Sequence, residues 1–255
     1  MTQQNTDRSN QADPRNAALM ELSKWDPAWA ETCIKVTTAP WTDSILPRKT
    51  VELVRVALDA ASTTFSHDST REHIRAALEV GATRDEILLV LKMASAMSIG
   101  VASMVVPFLL EEATGAELDA AAEGRAKHLK EAGGTPTVDS MKKGRRWNVV
   151  LDPVYELAPV WTDQFMSMAA GVYSSGVLPI KDIELLGIAL EASYTHMYAS
   201  GMRRHIRNAL RAGATVEEIM TVLKLCMVQG VEACNLRIPI LAEQLATHSP
   251  ADSNT

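Results

Sequence analysis

Aromatic side chains are scarce in this chain: Phe, Trp and Tyr make up 5% of 255 residues. Sandwiches and barrels draw on aromatic and β-branched residues, so abundant Ala and Met favour a helical core. Cysteine is scarcer still. Cys33, Cys226 and Cys234 form an odd set with no Cys-x-x-Cys pair, which does not make a disulfide framework. Cys226 and Cys234, on one expected helix, lie roughly 12 Å apart along its axis, too far to bridge. A reducing cytoplasm is therefore the expected location. The polar start, Thr2 to Asn16, has no apolar leader, and no export signal is expected. Phosphate-cradling glycine loops, Gly-x-Ser-x-Gly and His-x-x-x-His are also missing, so neither a metal nor another cofactor is expected. Positive charge is not in excess. A net charge of -6 argues against a nucleic-acid partner, and Lys142, Lys143, Arg145 and Arg146 read as a solvated linker.

What the chain does have is a repeat. An offset of 132 carries His73 onto His205, Glu52 onto Glu184, Arg71 onto Arg203, Gly81 onto Gly213 and Pro107 onto Pro239. From Val51 and from Ile183 about two dozen identities follow without a gap over roughly 60 residues. The fold class is therefore all-α, a tandem duplication of one helical unit. Asp26-Pro27 and Asp152-Pro153 are taken as the two starts, with about six extra residues in the second copy's first connection. Disordered ends are expected at 1–16 and 247–255, units at 17–115 and 151–246, and a linker helix and loop at 116–150. The helices are expected near 25–40, 48–64, 69–80, 84–98, 101–113, 116–132, 151–173, 180–198, 201–212, 216–229 and 232–246.

Each copy is centred on His-Ile-Arg-x-Ala-Leu-x-x-Gly-Ala-Thr-x-x-Glu-Ile. Gly81 and Gly213 stand where a helix ends in a left-handed residue. Thr83-x-x-Glu86 and Thr215-x-x-Glu218 are capping boxes that open the next helix. That half of the motif is structural. The apolar run from Ile87 to Leu110 is long enough to raise a membrane span. Its counterpart, Ile219 to Ala242, carries Lys224, Gln229, Glu232 and Arg237, which points to core or subunit interface rather than lipid.

The chemistry-bearing residues recur as well. His73 and His205 lie about 200° round their helices from the flanking arginines and face the packed side, as structural hydrogen-bonders or as acid–base groups. Glu184, Glu191 and Thr195 share a helical stripe, as do Glu52, Asp59 and Thr63. Such a stripe is ordinarily a solvated face; the alternative is a buried carboxylate with a raised pKa. The second copy adds Tyr194-Thr195-His196-Met197-Tyr198 where the first has Ser62-Thr63-Thr64-Phe65-Ser66, with His67 and Asp68 at shifted positions. Lys92 and Lys224 match too, as snorkelling lysines or as partners of an anion.

The pattern Glu52…His73-Ile-Arg-Ala-Ala-Leu-Glu-Val-Gly-Ala-Thr-Arg-Asp-Glu-Ile resembles the carboxymuconolactone decarboxylase/AhpD-like superfamily. Glu184…Thr195-His196…His205-Ile-Arg-Asn-Ala-Leu is its closer match. The resemblance implies a helical bundle that self-associates, here as a trimer or dimer of two-unit chains. One branch of that family uses Cys-x-x-Cys ahead of the motif histidine. The matching residues are Ser66 and Ser69, and Tyr198 and Gly201, so thiol peroxidase chemistry is excluded. The authentic decarboxylase carries a glutamate four residues before the histidine, where Ser69 and Gly201 stand. The expectation is a cofactor-independent lyase acting on a small carboxylated lactone or ring-cleavage product. The alternatives are an isomerase or hydrolase of related chemistry, or a silent small-molecule binder. Expected catalytic groups are His205, His196, Glu184 and His73. Tyr198, Tyr194, Arg203, Lys224 and Glu52 are the expected substrate contacts.

Overall fold

A computed structural model describes residues 14–61, 64, 67–235 and 237–248. Among these there are helices and no strand. Helices α1 (Pro14–Trp25), α2 (Pro27–Thr42), α3 (Arg48–Ala60), α4 (His67–Glu79), α5 (Arg84–Ala96) and α6 (Ile99–Glu112) build the first half. Next come α7 (Gly115–Glu131), α8 (Pro136–Lys143), a 3-10 turn (Val149–Leu151) and α9 (Asp152–Leu157). The second half follows as α10 (Pro159–Ser174), α11 (Ile180–Ala192), α12 (Ala199–Arg211), α13 (Val216–Asn235) and α14 (Ile238–Thr247). The expected disorder at 1–13 and 249–255 lies outside the described residues, but Pro14 already opens a helix.

The 132-residue offset reaches further upstream than the Asp-Pro pairs suggest. It maps Pro27–Thr42 onto Pro159–Ser174, end for end. Pro159 at the first turn starts α10 afresh and splits the expected helix 151–173; α9 belongs to the linker. The extra residues therefore precede the second unit instead of lying inside it. Asp26 caps α2 by accepting from the Trp29 amide at 2.9 Å.

The repeated motif folds as its residues require. Gly81 and Gly213 have φ of +87° and +88°. The Thr83 and Thr215 hydroxyls accept from the amides of Glu86 and Glu218, whose carboxylates return to the threonine amides. Lys49 and Lys181 bind those glutamates at 2.8 Å, tying the start of α3 to α5 and of α11 to α13.

The two units share one hydrophobic core. Helix α3 packs on α4, α5 and α13 as well as on its own copy α11, while α5 packs in return on α10 and α11. Every residue from Thr50 to Asp59 of α3 and from Ile183 to Ala192 of α11 is buried. Truncating a central Leu53 or Leu186 to Ala would cost about 2–5 kcal/mol. No face of α3 or α11 is left for solvent, and this overturns the solvated-stripe reading of Glu52, Asp59, Glu184 and Glu191. They are 1–3% exposed.

The units differ at their ends. In the first, Ser95 and Ser98 turn their hydroxyls back onto Leu91 and Ser95 carbonyls, and the chain breaks between α5 and α6. In the second, α13 runs straight through the expected break at 230–231. Gln229 holds the Leu58 carbonyl at 3.0 Å and Glu232 pairs with Arg55, so both clamp α13 to the first unit. Taken through the break between α5 and α6, Arg84–Glu112 passes for a membrane span by length and composition only, with 28% of its most apolar window buried.

Candidate active site

The second unit brings three of the expected residues together. Helix α12 presents His205, fully buried, to α11. Its Nδ1 lies 2.6 Å from Glu184 Oε2, and Asn208 donates to Glu184 Oε1 at 3.3 Å. The guanidinium of Arg204 reaches His205 Nε2 at 3.0 Å. An arginine can only donate, so Nε2 is the acceptor and Nδ1–H donates to Glu184. The imidazole is thus neutral with a defined tautomer. Burial holds its pKa below the ordinary value, aided by the Arg204 charge and opposed by Glu184.

Two turns along α11, Glu191 faces the same ring, with Oε1 3.9 Å from His205 Nε2. Its Oε2 is 3.0 Å from His196 Nε2. Burial pushes the Glu191 carboxyl up to about 7, with Arg204 opposing, and burial also lowers the pKa of His196. Tyr173 on α10 is 38% exposed, with its phenol close enough for local burial and the Glu184 charge to raise its pKa. His196 gets here because α11 stops at Ala192, short of the expected 198. The following turn is closed by Tyr198 N–H donating to the Glu191 carbonyl at 3.0 Å, with Met197 at φ +49°.

Two glycines make the geometry possible. A Cβ on Gly187 would lie 2.5 Å from His205 Nδ1 and 2.7 Å from Cε1, so the ring rests directly on α11. A Cβ on Gly201 would collide with the Glu191 carboxyl. Glu191 therefore fills, from the neighbouring helix, the space of the side chain missing four residues before His205.

The first unit arranges matched residues differently. His73 Nδ1 is 3.0 Å from Glu52 Oε2, and Glu52 Oε1 accepts from Trp41 at 3.3 Å and pairs with Arg48 at 2.5 Å. Burial pushes Glu52 up, but the His73 hydrogen bond and the His73 and Arg48 charges outweigh it, and its pKa falls. Where the second unit has Gly187, the first has Arg55, fully buried. Arg55 donates to His73 Nε2 from Nε at 3.2 Å and pairs with Glu232 of the second unit. Ser69 donates to Asp59 at 2.7 Å, and burial raises the Asp59 pKa despite Arg55 nearby. Thr64 stands at the position of His196 and is exposed, as are His67 and Asp68. Thr63 and the rest of the 62–66 loop lie outside the described residues.

The structure places four of the expected substrate contacts away from the His205 ring. Tyr194 is 60% exposed, and Arg203 and Lys224 also point to solvent. Arg203 lies on the far face of α12, and Lys224 on the face of α13 opposite buried Val222 and Cys226. Tyr198 is half-buried with its hydroxyl 2.6 Å from Ser103 Oγ. Arg204, the next residue along, is the arginine that reaches the cluster. Glu191, Arg204 and Tyr173 were missed as site residues; the Glu184–Glu191 stripe was the available signal for the first. Among the described residues no group of three or more His, Cys, Asp or Glu could hold a metal ion.

The fold and sites define a helical tandem protein with two unequal buried histidine–carboxylate clusters. The Carboxymuconolactone decarboxylase family model matches residues 27–106 and 159–235, and the chain belongs to that family. Among solved structures, the chain is similar to a protein provisionally assigned as a gamma-carboxymuconolactone decarboxylase subunit, from Burkholderia xenovorans LB400. Identity is 29% and the TM-score 0.75, over 91% of this chain and 92% of that one. No curated protein matches.

Proposed function

We propose that the protein is a cofactor-independent lyase that decarboxylates a small carboxylated lactone, with the second unit as the catalytic one. The observation that carries this reading is that the second cluster sets an unpaired Arg204 donor beside Glu191, whose pKa burial raises to about 7, and His196, which the first cluster lacks. Arg204 Nε is buried and has no hydrogen-bond partner, which suits a substrate carboxylate or a lactone carbonyl. Glu191 is the proton donor and acceptor, relayed through His196. His205 is held neutral between Glu184 and Arg204. In this state it orients Arg204 and adds no second positive charge.

Loss of CO₂ leaves an electron pair that the conjugated lactone carbonyl takes up as an enolate. Arg204 stabilises the developing oxyanion, and the Glu191 proton then passes to carbon. The site returns to its starting state by taking one proton from water. The test is CO₂ release from gamma-carboxymuconolactone by purified protein, with Glu191→Gln and Arg204→Gln alongside. Both variants should lose about 100-fold in turnover. Absence of turnover by the wild type refutes the reading. An isomerised or hydrolysed product without CO₂ would assign the same groups to the related chemistry.

The proposal includes self-association in the cytoplasm. Val101, Met104, Val105, Phe108 and Leu109 form an exposed stripe on α6, and Ile240 and Leu241 on α14 repeat Phe108 and Leu109. Two such faces per chain suit a closed ring, a trimer or dimer of chains. Light scattering should give a multiple of 27.7 kDa, and Phe108→Glu should reduce it.

A further inference from the structure

We infer that the first unit is a positioning partner of the second unit's acid–base pair, acting through a strut from Ser103 on α6 to Tyr198 beside the Glu191–His196 turn. This deepens the proposed function and rests on it for its catalytic consequence. The strut is built from both ends. Ser103 is buried and its hydroxyl donates to the Gly100 carbonyl at 2.8 Å, which leaves its oxygen as acceptor for the Tyr198 hydroxyl at 2.6 Å. The Tyr198 ring lies against Gly100 of the first unit, where an added Cβ would be 3.2 Å from the ring, and against Gly201 of the second. At its other end Tyr198 N–H donates to the carbonyl of Glu191 itself.

Tyr198 therefore touches the backbone of the proton carrier, the glycine that admits its carboxyl and the opposite unit. His196, two residues earlier, has its ring centroid 6.2 Å from that of Tyr198, edge to face. The turn is closed by backbone bonds from His196 and Met197 to the Ser193 carbonyl, with Met197 held left-handed, and none of these bonds reaches the His196 ring. The cross-unit bond fixes the direction from which His196 meets Glu191. The groups that face this pair are Arg204, His205 and Tyr198, with Tyr173 and Glu184 behind.

Duplication in one chain explains the asymmetry. Position 100 of the first unit corresponds to Glu232 of the second, and each lies at the other unit's cluster. Glu232 neutralises Arg55 in the first cluster, whereas Gly100 makes room for Tyr198 in the second. One contact ties Arg55 into an ion pair and the other braces the Glu191–His196 turn, while each cluster keeps one buried guanidinium nitrogen without a partner, Arg55 Nη1 and Arg204 Nε.

The test compares Ser103→Ala and Tyr198→Phe in the full chain, each deleting one hydroxyl with little change of shape. The ring signals of His196, assigned with His196→Gln in histidine-labelled protein, are followed by NMR against pH. Each variant should move the His196 midpoint by about half a pH unit toward its ordinary value, as the turn loosens and hydrates. Turnover should fall about tenfold at nearly constant KM, the mark of misplaced groups rather than lost binding. The double variant should do no more than Ser103→Ala, because the cross-unit bond that Tyr198→Phe removes is already lost there. Tyr155→Phe, which deletes a similar bond to Thr135 at 2.8 Å away from the cluster, should leave both readouts alone. Folded Ser103→Ala and Tyr198→Phe with wild-type titration overturn the inference, as does an equal shift in Tyr155→Phe. The titration needs no substrate, so the strut is tested separately from the lyase reading, which fails on Glu191→Gln.

Discussion

Replacing Gly187 with Ala sets two physical effects against each other with opposite signs. Gly187 is in the interior of α11, and Ala there is intrinsically favoured by about 1 kcal/mol. The added Cβ would meet His205 Nδ1 at 2.5 Å, Cε1 at 2.7 Å and Cγ at 2.8 Å, whereas carbon contacts settle near 3.5–4.0 Å. The ring has to retreat by roughly 1 Å, in a core with no slack on either side. Overpacking of this kind costs about 1–3 kcal/mol. The retreat also breaks the 2.6 Å bond from His205 Nδ1 to Glu184, leaving two buried polar groups unpaired at about 1–3 kcal/mol. The expected result is a net loss of about 1–5 kcal/mol in urea unfolding at neutral pH, with turnover lost in the remaining folded protein. A Gly187→Ala protein as stable as the wild type, or more stable by the helix-propensity gain, refutes the reasoning. Either outcome would mean that His205 does not rest on α11.

Glu191→Gln should change how stability depends on pH. A carboxyl with a folded pKa of about 7 against 4.5 contributes stability that is full below 4.5 and lost as pH rises through 7. At about 1.4 kcal/mol per pH unit this reaches about 3 kcal/mol, and thermal melts from pH 5 to 8 should fall in the wild type but stay flatter in the variant. His205 works the other way: its lowered pKa contributes stability above 6.5 that is lost as pH falls, so His205→Gln should flatten the acid side. Glu232→Gln strands the buried Arg55 guanidinium and should cost about 3–5 kcal/mol in denaturant unfolding, while Arg55→Met combined with it should cost less than Glu232→Gln alone. Arg203→Ala should keep turnover within about twofold and Arg204→Ala should abolish it, because only Arg204 reaches His205.

The helical class, the duplication and the Gly-Ala-Thr-x-x-Glu restart were legible because they depend on local spacing and backbone needs. Pairing of His73 with Glu52 and of His205 with Glu184 was foreshadowed by recurrence and by the inward direction of the histidines. What was hidden depended on packing between distant segments. The carboxylate stripe on α3 and α11 has the spacing of a solvated face, and it is buried because α4 and α12 lie over it with His73, Ser69 and His205. Arg203 and Arg204 are neighbours in sequence, and a rotation of about 100° separates solvent from His205. Tyr198 was expected as a substrate contact, and its bond to Ser103, far away in the chain, had no local signal. The first connection was misread because Asp-Pro occurs twice, once as a helix cap and once in the linker.

The central claim is that the second unit carries the acid–base chemistry while the matched first-unit cluster is closed by Arg55. The most direct measurement is CO₂ release from gamma-carboxymuconolactone by Glu191→Gln and by Asp59→Asn, which change the same position of the two units. The account predicts a loss of about 100-fold for Glu191→Gln and a change within about threefold for Asp59→Asn. Equal losses in the two variants, or full turnover by Glu191→Gln, would contradict it.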